Sequence, residues 1–73
     1  MTLARLVQLE DHRYAQFDSA ITLEGLAYHL QEIGEEERAG QVWGLTRAHF
    51  NALGLTERAR VAEHALSSLR DAQ

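Results

Sequence analysis

Proline is absent from all 73 residues, so glycine is the only strong helix stop this chain has. A proline-free chain rich in Ala and Leu meets little that ends a helix. The apolar residues recur with a helical period. Ala39, Val42, Trp43, Thr46, Phe50 and Leu53 sit at offsets 0, 3, 4, 7, 11 and 14, one stripe in phase throughout, and Gly54 follows as a stop signal. Leu23, Leu26, Ala27 and Leu30 form an i, i+3, i+4, i+7 stripe that Gly34 ends in the usual C′ position. Ala59, Ala62, Leu66 and Leu69 give a last helix, with Thr56 placed to cap it. Leu3, Leu6, Val7, Tyr14 and Phe17 give a first helix over about residues 2–17, weaker in its middle. Asp18 and Ser19 read as a break and an N-cap. The expectation is an all-α fold of about four helices in antiparallel hairpins, since very short turns leave no other packing. It divides into a capping helix over residues 1–17, a helix pair over 20–53 and a C-terminal helix over 56–71.

Composition narrows the function classes. A chain of this length holds one small domain near the lower limit for a self-sufficient core, which favours a partner or self-association. It has no Cys, which removes disulfides, thiolate zinc sites and cysteine nucleophiles. Seven basic residues, all Arg, face eleven acids for a net charge of −4, which argues against a nucleic-acid wrapper. The acidic run Glu35-Glu36-Glu37 opens a helix, where acids complement the dipole. No stretch reaches the eighteen or so apolar residues of a membrane helix, and polar residues from Arg5 to Arg13 interrupt any signal-peptide core. A cytoplasmic protein is expected.

Gly40 and Gly44 lie inside the third helical segment, where each costs about 1 kcal/mol relative to Ala. One explanation is close packing: four residues apart, they share a helix side that a neighbouring helix approaches. The other is a helix-turn-helix over about 35–43 and 46–53, with Gly44 in the turn. Arg47, His49 and Asn51 would then read base edges. The stripe runs through Gly44 without a phase change, and phosphate neutralisation needs more positive charge than this chain carries. The helix after Gly54 alternates acid and base (Glu57, Arg58, Arg60, Glu63), as a solvated packing helix does. These features favour the helix pair, with DNA binding as the alternative.

Several short motifs occur in order: Leu23-Glu24-Gly25-Leu26-Ala27, Gly34, Glu37-Arg38-Ala39, Trp43-Gly44, Leu53-Gly54 and Glu57-Arg58-Ala59. Over residues 23–72 this series resembles the C-terminal tetratricopeptide-like (TPR) repeats of large bacterial transcriptional regulators of the predicted-ATPase type. The fit departs at Thr46, where the repeat usually has Ala, and at Glu36, where it prefers an aromatic. No P-loop glycine motif is present, so nothing about ATP carries over. The resemblance implies a regulatory protein–protein interaction module. It also implies that the first helix of the pair lines a concave face, on which Glu24, Tyr28, Gln31 and Glu32 would meet a basic or amide-bearing peptide. A free-standing copy lacks stacking neighbours, so a second copy of the chain is the expected substitute.

Catalysis is not expected. His12, His29, His49 and His64 include no i, i+4 pair of the kind that holds a metal on a helix. Asp11-His12 and Glu63-His64 are adjacent donors without a visible third ligand. No nucleophile elbow occurs, Ser19 and Thr56 are explained by capping, and no cofactor is implied. Trp43 lies on the core stripe, although tryptophan also anchors interfaces. Tyr14 and Phe17 suit either core or docking.

Overall fold

A computed structural model describes the backbone of residues 3–71 and the side chains of residues 15–71. Three helices follow in order: α1 (Leu3–Glu32), α2 (Glu36–Ala52) and α3 (Thr56–Asp71). The all-α expectation holds, with three helices in place of four. Asp18 and Ser19 sit inside α1, so the capping helix and the first helix of the pair are one element. Neither residue is a strong breaker; each costs tenths of a kcal/mol relative to Ala. The Thr22 hydroxyl donates to the Asp18 carbonyl oxygen at 2.9 Å within the helix. Ala20, one residue on, is fully buried in a cluster with Phe50 and Ala59, with Ile21 packed against it. That packing outweighs the small local cost.

Both turns are built the same way. In the first, the Gly34 amide donates to Gln31 at 3.1 Å and the Glu35 amide to Leu30 at 2.8 Å. In the second, the Gly54 amide donates to Asn51 at 3.0 Å and the Leu55 amide to Phe50 at 2.9 Å. These are Schellman motifs, which place the C′ residue in the left-handed region. Gly34 has φ 82° and Gly54 φ 76°, values that glycine adopts without a Cβ penalty. Leu55, the residue after Gly54, packs against the Phe50 cluster and so closes the second motif apolarly. The Leu55 carbonyl also accepts from the Ala59 amide, which makes Thr56 the first helical residue and not the cap.

Helix α2 is the shared middle element and packs against both α1 and α3. Its stripe buries Ala39, Trp43, Thr46 and Phe50. The core divides into two clusters along α2. One gathers Ala27, Ala39, Trp43, Ala62 and Leu69. The other gathers Ala20, Phe50 and Ala59. Among the fully buried residues alanine supplies the α1 side of both, and one large aromatic fills each layer. Buried Thr46 satisfies its hydroxyl by donating to the Val42 carbonyl oxygen at 2.8 Å.

The helices differ greatly in length. α1 has 30 residues and α2 has 17. At 1.5 Å per residue these are about 45 and 26 Å long. Gln16 of α1 lines one depression together with Ala52, the last residue of α2. Residues 3–15 therefore extend α1 past the end of α2 by about 20 Å. The Cα trace measures 52 × 21 × 13 Å, long and flat. Among the described residues, no helix is long and apolar enough to cross a membrane.

Candidate functional site

The face of α1 that bears Glu24, Tyr28, Gln31 and Glu32 is assembled around Trp43. Tyr28, Gln31 and Glu32 follow Glu24 at i+4, i+7 and i+8, so helical geometry puts all four on one side. The Tyr28 ring meets the Trp43 indole edge-on, with centroids 4.9 Å apart and planes at 85°. Trp43 Nε1–H donates to Gln31 Oε1 at 3.0 Å. The indole is fully buried, and this bond satisfies the single polar group it takes out of water. Trp43 is thus core, and Gln31 holds it there while remaining half-buried. Tyr28 stays 50% exposed and Glu32 is exposed; Glu24 is half-buried at the margin. The surface this face offers is a half-exposed tyrosine flanked by two carboxylates.

The residues assigned to DNA reading are not brought together. α2 runs unbroken from Glu36 to Ala52, and Gly44 adopts no positive φ. The turn at Gly44 and the two short helices over 35–43 and 46–53 do not exist. Arg47 and Asn51 are one turn apart and exposed, whereas His49 lies between them in sequence and points to another side. Its Nδ1–H donates to the Leu45 carbonyl oxygen at 2.8 Å. A stripe that holds phase through Gly44 buries Trp43, Thr46 and Phe50 together, and a turn there would break that set.

The close-packing explanation of the two glycines is corrected as well. A Cβ built at Gly40 or Gly44 meets nothing within 4 Å. Both lie well round the helix from Trp43, by roughly 60° and 100° at 3.6 residues per turn, on the margin of the buried stripe. Gly40 lines an open depression with Leu66, Leu69 and Arg70 of α3, which still leaves space for a Cβ.

One arrangement was not legible in the sequence. The Arg58 guanidinium lies 5.5 Å from the Phe17 ring centroid and 5.7 Å from that of Phe50. It links the start of α3 to α1 across the end of α2. Arg58 belongs to a Glu-Arg-Ala motif that recurs twenty residues earlier as Glu37-Arg38-Ala39. The signal was in the context: an arginine after the second turn stands where Phe17 and Phe50 converge.

Among the described residues, surface depressions of 260, 220 and 330 Å3 are open to solvent. Such shallow hollows do not enclose a small ligand. Among the described residues, His, Asp and Glu form no group of three able to hold a metal ion. The side chains of Asp11, His12 and Tyr14 lie outside the described residues. Compared with protein-family models, with curated proteins and with solved structures, the chain matches none.

Proposed function

We propose that this chain is a protein–protein interaction module of TPR-like type, regulatory in role, which binds another protein or peptide and associates with itself. The observation that carries the reading is the mismatch between α1 and the rest of the chain. A 30-residue helix is packed against a 17-residue one, so nearly half of α1 is presented beyond α2. The reading assigns that length of helix to a partner protein. The second support is the half-exposed Tyr28 between Glu24 and Glu32, two carboxylates that suit arginine or lysine side chains of a bound peptide. The bacterial regulatory setting rests on the motif series alone.

The test is a titration of the isotopically labelled protein with short peptides that alternate Arg or Lys with Gln. Backbone shifts should move at Glu24, Tyr28 and Glu32, and Glu24→Lys combined with Glu32→Lys should weaken binding by at least about tenfold. Shifts confined to α3, or no shifts with any basic peptide, would count against this face. Duplex DNA is the counter-probe. Binding to it that falls steeply with salt would favour a nucleic-acid role instead.

A further inference from the structure

We infer that the side of the α1/α2 hairpin turned away from α3 is where two copies of this chain pair, apolar face on apolar face. The inference deepens the self-association in the reading above and rests on it, naming the surface that associates.

The first observation is exposure. Leu26 is 45% exposed, Ile33 57% and Leu45 52%. Leu23, Leu30 and Val42 beside them are half-buried. Helical geometry puts all six on one side of the hairpin. Gln16 of α1 and Ala48, His49 and Ala52 of α2 line one open depression there. Leu23 and Leu30 follow Gln16 by seven and fourteen residues, with Leu26 and Ile33 on the adjoining shoulder of α1. Leu45 and Val42 precede His49 by four and seven, on the matching line of α2. Ile33 keeps this geometry just past the end of α1, because its amide still donates to the His29 carbonyl oxygen at 3.1 Å.

The second is direction. Arg58 of α3 reaches the Phe17 ring, and Leu26, nine residues on, lies about 180° round α1 from Phe17. Gly40 lines a depression with Leu66, Leu69 and Arg70 of α3, and Leu45, five residues on, lies about 140° round α2 from Gly40. So α3 covers one side of the hairpin and leaves the apolar one bare. That side runs the length of α2, about 26 Å, and the width of two packed helices, about 20 Å, a flat area of about 500 Å2 before side-chain relief is counted. This is the scale of the roughly 800 Å2 of accessible surface that each partner contributes to a stable interface.

The occupant is a second copy for two reasons. Helix α3 turns Arg60, His64, Ser67 and Asp71 outward, exposed polar residues spaced 4, 3 and 4 apart. Stacking head to tail would lay the apolar side on this polar one. Only like sides together bury apolar surface against apolar surface, and that arrangement closes with two copies. Charge agrees. The chain carries a net −4, so two copies repel least where acids are missing. Helix α2 has no acid after Glu37. Asp18, Glu24 and Glu32 of α1 lie about 100° or more round the helix from the line of Leu26 and Leu30. Arg38, on the line of Leu45 near the first turn, is exposed and long enough to keep its charge at the rim.

The experiment is sedimentation equilibrium of the full chain over a wide concentration range. The wild type should dimerise and grow no further. Leu45→Glu should weaken the dimer by at least about a hundredfold, and the milder Ile33→Gln, placed outside the helices, by about tenfold. Trp43 fluorescence and helical circular dichroism should stay unchanged in both, since neither side chain is in the core. Val61→Glu is the control. Val61 is 48% exposed on α3, and replacing it should leave the dimer as it is. A wild type that stays monomeric would overturn the inference, as would assembly that keeps growing with concentration. So would a dimer indifferent to Leu45→Glu and Ile33→Gln, or one that Val61→Glu weakens equally. The peptide titration reads the parent proposal separately, because Glu24 and Glu32 lie on the other side of α1. A monomer that still binds peptide would sink the pairing alone.

Discussion

Residues 20–32 and residues 3–15 belong to one helix, yet they stand in different relations to the rest of the molecule. The C-terminal half lays Ala20 and Ala27 against α2, and both are fully buried. The N-terminal half runs on past the point where α2 ends. Its apolar residues recur at helical spacing too, but in a different phase. The lesson is that a periodic stripe specifies a direction to be covered and says nothing about what covers it. In the C-terminal half the cover is in the chain. In the N-terminal half the proposed function assigns it to a partner protein.

Substitutions should separate the two halves cleanly. The largest effect belongs to Trp43→Ala, which empties the layer that Ala27, Ala39 and Ala62 surround. It should cost about 3–5 kcal/mol in urea denaturation, most of the total stability of a chain this size at roughly 4–11 kcal/mol. Val7→Ala in the other half, measured at a concentration where the chain is monomeric, should change unfolding by no more than about 0.5 kcal/mol. An equal cost at both positions would abolish the distinction.

Ala27→Leu should cost about 1–3 kcal/mol, because the buried alanine has no room for three more carbons against Trp43. Gln31→Leu should cost about 1–2 kcal/mol by leaving the Trp43 indole N–H without its acceptor. A Trp43 emission spectrum that does not shift in this variant would mean that the bond matters little. The smallest expected effect has the opposite sign. Gly44→Ala should stabilise the monomer by about 0.5–1 kcal/mol, since the added Cβ meets nothing and α2 gains a helix former. Destabilisation there would revive a turn at Gly44.

Much of this fold was legible in the sequence, and the reasons are local. Gly34 and Gly54 marked both turns because a left-handed C′ residue has a strong chemical preference. The α2 stripe from Ala39 to Leu53 kept its phase, which fixed α2 as one helix and fixed Trp43 in its core. The break at Asp18-Ser19 failed for an instructive reason. A change in stripe phase looks the same whether the helix ends or continues with a new face turned outward, and Asp-Ser is a weak enough signal to serve either. The small residues Gly40 and Gly44 misled similarly: smallness permits close approach without requiring it. Of the candidate site, the shared side of Glu24, Tyr28, Gln31 and Glu32 followed from spacing. The commitment of Gln31 to the Trp43 indole did not, because the two are 12 residues apart and meet only through the first turn.

The most direct test of one helix with two differently covered halves is amide hydrogen exchange along α1 of the isolated chain. The account predicts that amides of residues 20–32 are protected to the level of global unfolding. Amides of residues 5–15 should exchange quickly. Protection that is uniform along α1 would contradict it, and so would a gap of fast exchange at Asp18 and Ser19.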